Sequence, residues 1–195
     1  MREPGVVAWQ MPLSGYDIHG YAIISDDHRI ATPEGTMPKV LLNEADWTNF
    51  QTELDRATVT ILGRRSHEAT PNPSTRMRVV VSSRVYGLEL RDRSWWWNPS
   101  RVSVRAMLHS VLPSGGRIAV PGGRAVYDMF LGVGFDAFHL SRKRGALVPG
   151  GIPVFSAVDS ESRTPEEILE TSGLVPDPEL VLDVKGPVTL QVWRG

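Results

Sequence analysis

Short apolar runs alternate with amphipathic stretches along most of the chain, and polar or glycine-proline turns separate them. Val6 to Trp9 and Tyr21 to Ile24 read as strands, the second ending in the polar turn Ser25-Asp-Asp-His-Arg29. A loop follows from Thr32 to Pro38. Glu44 to Leu54 then has helical spacing, with Asn43 as N-cap and Ala45, Trp47 or Thr48, and Phe50 offering a face. Thr58 to Leu62 and Val79 to Val81 are β-branched runs that predict buried strands. The stretch from Arg84 to Arg101, which contains Trp95-Trp-Trp97, is less regular. Val102 to Leu112 predicts a short helix that stops at Pro113-Ser-Gly-Gly116.

The most informative run comes next. Ile118 to Val120 predicts a buried strand, Gly122-Gly123 ends it, and Ala125 to Leu131 is compatible with a helix. Phe135 to Leu140 suggests a further strand, and Val148 to Phe155 is a loop rich in glycine and proline. Leu180 to Val184 and Val188 to Trp193 flank Lys185-Gly-Pro187 as a terminal hairpin. Strands alternating with helices imply an α/β fold with an antiparallel edge, and no repeat or linker divides residues 1–195, so one domain is expected.

Composition narrows the function classes. The chain is 41% hydrophobic and 22% charged, with 21 basic and 22 acidic residues, so no global field favours nucleic acid or an anionic membrane. It has no cysteine, which excludes disulfides and thiolate catalysis. Five histidines show no metal-ligand spacing, so no metal is expected, and His67, His109 and His139 read as packing or surface residues. No run approaches the roughly 18 apolar residues of a membrane span, and Met1 to Gly5 lacks a secretory signal's apolar core, so a cytoplasmic protein is expected.

Local anion chemistry remains, at three strand ends. Glycines at Gly122-Gly123 leave the backbone approachable at a helix start, where bare N–H groups and the helix dipole favour a phosphate, although an ordinary glycine turn has the same spelling. Ile61-Leu-Gly63 runs into Arg64-Arg-Ser66, and Val80-Val81 into Ser82-Ser-Arg84. Guanidinium forks and hydroxyls suit phosphate, while any single such arginine also reads as solvated surface. Three of these ends together suggest a nucleotide with more than one phosphate, beyond the carboxyl ends of the strands. Three consecutive tryptophans cannot all face one core, which suggests contact with a ligand or with the second copy of a homodimer, or partial burial under a loop.

The order of these motifs resembles the dihydrofolate reductase superfamily, which includes the reductase domain of riboflavin biosynthesis. The matching pieces are Ile30-Ala31, Met37-Pro38, Asp46 with Phe50, Val59 to Ser66, Arg76, Val79 to Ser83, Ile118 to Gly123 with Tyr127, and Phe138 to Ser141. The resemblance implies a three-layer α/β fold: a central mixed, mostly parallel sheet of about eight strands, flanking helices and a C-terminal antiparallel hairpin. It implies NADPH stretched across the carboxyl edge of the sheet, with Ile30, Gly63, Arg64, Arg65, Ser66, Ser82, Ser83 and Arg84 along one half. Pro121, Gly122, Gly123, Arg124, Ala125, Val126 and Tyr127 would line the other, with a cis peptide joining the two glycines.

Asp46 would be the catalytic carboxylate, gripping the aminopyrimidine edge of a pterin, with Ile23, Phe50, Arg76 and Ser141 on the substrate. In this resemblance Arg76 takes the carboxylate of a folate tail, and the loop from Thr32 to Lys39 is a lid. The implied reaction is hydride transfer to dihydrofolate, with a ribosylaminopyrimidine substrate or a non-catalytic nucleotide-binding scaffold as alternatives. Lys39 departs from the family's tryptophan, and Pro121 from its aliphatic residue. The glycine-rich segment from Pro149 to Phe155 looks more like the riboflavin branch.

Overall fold

A computed structural model describes residues 13–72 and 76–195, so the strand expected at Val6 to Trp9 lies outside the described residues. In chain order the first elements are β1 (Tyr16–Ile24), β2 (Arg29–Ala31), a single 3-10 turn (Lys39–Leu41), α1 (Glu44–Arg56), β3 (Val59–Gly63) and α2 (Arg64–Ala69). Then come β4 (Arg78–Val81), β5 (Leu88–Arg91), β6 (Ser94–Trp97), α3 (Val104–Val111), β7 (Gly116–Gly122), α4 (Arg124–Val133) and β8 (Ala137–Lys143). The chain ends with β9 (Ile152–Pro153), α5 (Ala157–Ser160), α6 (Pro165–Thr171), β10 (Val175–Pro176), β11 (Leu180–Asp183) and β12 (Val188–Arg194).

The β-branched runs occupy the middle of the sheet because they are apolar on both faces. The path is β10-β12-β8-β1-β7-β3-β4-β6-β5, with β11 also on β12, ten strands in all. From β8 to β6 all neighbours are parallel; β12 and β5 add antiparallel edges. The architecture is the mixed, mostly parallel three-layer one expected, but the sheet is wider than about eight strands. Part of the extra width comes from the tryptophan stretch, which forms the β5–β6 hairpin. Asp92 and Arg93 turn it at φ 46° and 62°, a left-handed pair made without glycine or asparagine, so the usual hairpin spelling is missing.

Side chains alternate across the sheet and build two unequal cores. Ile118 and Val120 face the larger one with Met107, Leu108, Phe130, Phe138, Phe155 and Leu169. Ala119 and Tyr21 face the smaller one beneath α1, with Phe50, Leu54 and Ala57. The inward stripe of α1 is therefore Phe50 and Leu54, continued by Ala57 at its C-cap. Trp47 points outward instead, with 54% of its surface exposed.

Asn43 caps α1 as expected: its side chain accepts from the Asp46 N–H at 3.0 Å. The same amide donates to Asp183 at 2.7 Å and to the Gly186 carbonyl at 3.2 Å, tying the helix start to the terminal hairpin. Losing a cap costs about 1 kcal/mol. Asn43→Ala is expected to cost at least that, read as a lower urea midpoint with an unchanged denaturant slope.

Candidate active site

Five neighbouring strands end side by side along one edge of the sheet. Ser141 lies near the end of β8, level with Ile23 on β1. Next to them β7 ends at Gly122, level with Leu62 of β3, and Gly63 at the end of β3 is level with Val81 of β4. Four interstrand steps of about 4.8 Å make this row about 19 Å long. Residues separated by more than 100 positions thus stand along one edge of the sheet.

At one end, α1 hangs Asp46 over the row. Burial raises the Asp46 carboxyl above the usual carboxylate range, and a hydrogen bond from the buried Ser141 hydroxyl only partly offsets it. Phe50, one turn further on, packs on Tyr21 with ring centroids 6.0 Å apart. A cavity of about 380 Å³ opens beside Asp46, walled by Met37, Leu41, Leu42 and Trp47. Met37, Leu42 and Trp47 are exposed, so a largely apolar surface adjoins the poorly solvated Asp46 carboxyl, with Asn43 and the exposed Glu44 also on the lining. That combination suits a flat ring with paired N–H donors on one edge.

Further along the row, Gly122 makes the strand-to-helix turn with φ +121°, and a β-carbon there would lie 2.7 Å from the Tyr127 hydroxyl. The expected cis peptide between Gly122 and Gly123 is not present. No cis bond occurs among the described residues, and positive φ at Gly122 provides the reversal instead. Gly123 borders open space, and Pro121 is half-buried beside it. Val126 and Tyr127 are buried in the larger core, and their N–H groups already donate to the Gly123 carbonyl. The Tyr127 hydroxyl donates to the Tyr21 carbonyl, holding α4 under β1, and burial raises its pKa further. Arg124 and Ala125 are the exposed residues of this helix start.

The other end of the row is cationic. Arg64 pairs with Glu68 at 2.7 Å, whereas Arg65 and Arg84 form no ion pair among the described residues. Ser66 is half-buried in α2, Ser83 is exposed, and the buried Ser82 hydroxyl accepts the Arg84 N–H at 3.1 Å. Ile30 on β2 packs at the edge of the larger core. In the loop after β2, Gly35 sits so close to the Arg65 guanidinium that a β-carbon would meet it at 3.4 Å. The donor set of two unpaired guanidiniums, hydroxyls and an open Gly123 turn fits the phosphates and amide of an extended dinucleotide.

Arg76 points to α1. Its Nε and Nη2 both donate to Asp55 Oδ1, at 2.9 and 2.5 Å, and its Nη1 donates to Gln51 Oε1 at 2.8 Å. Of the tryptophans, Trp97 is fully buried, Trp95 is half-buried against the larger core, and the half-buried Trp96 meets His67 edge-on at 5.6 Å. Among the described residues no group of three histidines or acids could hold a metal, and no helix is long and apolar enough to cross a membrane.

Sequence reasoning missed a polar cluster under α1. His19 Nε2 meets Asp17 Oδ1 at 2.7 Å, and its Nδ1 meets His139 Nε2 at 3.2 Å. Beside the ionised Asp17, neutral His19 carries its proton on Nε2 and accepts from His139 at Nδ1. Asp17 also takes the Arg117 Nε–H at 2.9 Å, and Arg117 lies 3.6 Å from Glu53. Burial holds the His139 pKa down at about 3, while Tyr21 is stacked on its ring at 4.5 Å. No local signal marks this cluster, because its histidines are 120 positions apart.

No protein-family model matches the chain, and no curated protein matches it. Solved structures do share its fold. A protein assigned to riboflavin biosynthesis from Shewanella sp. PV-4 superposes with a TM-score of 0.63 at 17% identity, over 91% of this chain and 98% of that one. RibD of Acinetobacter baumannii superposes with a TM-score of 0.65 at 13% identity, over 93% of this chain and 59% of its own length. The chain thus spans little more than half of that protein. Dihydrofolate reductase from Enterococcus faecalis, complexed with NADP(H) and RAB-propyl, superposes with a TM-score of 0.59 at 14% identity, over 91% and 95% of the two chains. The fold is that of dihydrofolate reductase and of these riboflavin-pathway proteins.

Proposed function

We propose that this chain is an NADPH-dependent reductase that delivers a hydride to a pterin-type ring held by Asp46. The observation that carries the proposal is the row of five strand ends, which runs from one partly desolvated carboxyl to a patch of unpaired guanidiniums. Bound NADPH would supply the hydride from its nicotinamide C4. The chain's own contribution is placement and charge. Gly123 leaves room for a flat ring beyond the ends of β1 and β7, where Ile23 borders it, while the missing side chain of Gly122 makes way for the Tyr127 hydroxyl, and Phe50 packs against the ring of the acceptor. Asp46, kept oriented by Ser141, accepts two N–H groups from the acceptor edge and favours the protonated, cationic form of the ring; the ring nitrogen takes its proton from water, and the hydride then neutralises that charge at the neighbouring carbon. The loop from Thr32 to Lys39 reaches from Arg65 to Met37 in the cavity wall, and serves as a lid that excludes water.

Arg65 and Arg84 supply the preference for a phosphorylated ribose. Removing one charge-assisted contact costs about 1.5–3 kcal/mol, or roughly ten- to a hundredfold in affinity. Arg84→Ala is therefore expected to raise the NADPH KM about tenfold or more and to leave NADH kinetics unchanged, as read by steady-state oxidation at 340 nm. The test of the whole proposal is NADPH oxidation measured side by side with dihydrofolate and with the ribosylaminopyrimidine of riboflavin synthesis. Turnover of dihydrofolate alone supports the pterin reading, and turnover of the pyrimidine alone reassigns the acceptor. NADPH binding without oxidation of either makes the protein a nucleotide-binding scaffold.

A further inference from the structure

Trp47, Gln51 and Asp55 are spaced at i, i+4 and i+8 on α1, so they form one row on the helix surface about 12 Å long. The row begins at the Trp47 wall of the Asp46 cavity and ends at the Arg76 guanidinium. A ligand lying along α1 with its ring at Asp46 would bring an extended substituent to Arg76. That guanidinium is already engaged. Asp55 takes its Nε and Nη2 faces, Gln51 takes Nη1, and Asn72 clamps its backbone through the N–H at 3.2 Å and the carbonyl at 2.8 Å. The Arg76 side chain is 19% exposed and that of Asp55 is 65% exposed, so a firmly held cation is covered by the chain's own carboxylate at the surface.

We propose that Asp55, assisted by Gln51, is a specificity determinant that occupies the anion position of Arg76 and selects acceptors without a carboxylate-bearing tail. The proposal rests on the reductase reading for the identity of the ring, but the engaged fork is independent of it. An incoming carboxylate meets two obstacles: it must displace an intramolecular partner held at high effective concentration, and it then lies beside the displaced like charge. A neutral tail meets neither. Discrimination therefore comes from a repulsive element placed where the resemblance leads one to expect attraction.

The test compares wild type with Asp55→Ala and Asp55→Asn. Asp55 is exposed, so neither change removes a core contact. Dihydrofolate and 7,8-dihydrobiopterin share a ring and differ in whether a carboxylate tail is present. Asp55→Ala is expected to lower the dihydrofolate KM three- to tenfold and to move that of dihydrobiopterin by less than twofold. Asp55→Asn, which removes only the charge, is expected to lie between wild type and Asp55→Ala. An equal change for both substrates, or no change for either, overturns the proposal. A second readout does not require turnover: p-aminobenzoylglutamate is titrated while the Arg76 Nε–H resonance is followed. Binding to Asp55→Ala at least threefold tighter than to wild type supports the proposal, and equal binding overturns it. If neither pterin is reduced, the reductase reading fails and the titration still decides the role of Asp55.

Discussion

Asp46→Asn is expected to reduce hydride transfer by about two to three orders of magnitude, the usual cost of removing one preorganised electrostatic contact, while leaving the fold at least as stable as wild type. The two halves of this result have one cause. Burial raises the Asp46 pKa, so the folded chain favours its neutral form and ionisation there opposes folding. The sign follows from linkage: a carboxyl raised above its unfolded value contributes stability at low pH and loses it as pH rises through the folded pKa. Once Asp46 is ionised, the charge is held at some cost to stability and is available to pair with a cationic or N–H-rich ring edge. Asparagine retains the shape and a hydrogen bond to Ser141 but removes that charge. Single-turnover NADPH oxidation and thermal unfolding on the same samples check both halves. A variant that loses activity and also melts well below wild type would assign Asp46 a structural role. Unchanged turnover would remove it from the site altogether.

The second large effect is acid sensitivity from the buried histidines. The His139 pKa is lowered from 6.5 to about 3, chiefly by burial, with the neighbouring His19, Arg194 and Arg117 contributing and Asp17 opposing. His19 is lowered as well, by burial against the opposing pull of Asp17. The unfolded chain therefore binds protons that the folded chain excludes. Stability from this source is complete above pH 6.5 and falls as the pH drops toward 3, by up to about 1.4 kcal/mol per pH unit for one fully excluded proton. His139→Gln keeps an N–H donor toward His19 and cannot titrate. It is expected to flatten the decline of the urea midpoint between pH 6.5 and 5. An unchanged slope would mean that His139 is not the group responsible. Because Tyr21 joins His139 to Phe50, hydrogen exchange in α1 is expected to rise earlier on acidification than exchange in α4.

What was legible in the sequence is what depends on neighbours a few residues away. The Asn43 cap, the glycine turn after Val120, the strands around Ile61 and Val80, and the hairpin at Lys185-Gly-Pro187 all follow from local spacing and backbone chemistry. Thr164 to Glu167 is a capping box opening α6, with Pro165 at its start. That signal was present, but periodicity alone does not find so short a helix. The β5–β6 hairpin was hidden for the opposite reason, because Arg93 takes the left-handed position of its turn where glycine is usual.

The candidate site divides in the same way. Its cationic and glycine-bearing turns were readable one at a time because each is a strand followed by a start of helix. Their alignment along one edge came only through the family resemblance and not from the spacing itself, since it depends on β1 lying between β7 and β8, a backbone pairing of residues about 100 positions apart. The same packing brought His19 to His139, and the docking of α1 turned Arg76 toward Asp55. The sequence alone determined which residue types stand at each strand end, because backbone conformation and short-range patterning are local. Only the tertiary structure decided which of those groups meet and which charges are already paired, because burial and ion pairing depend on neighbours that the chain brings together by folding.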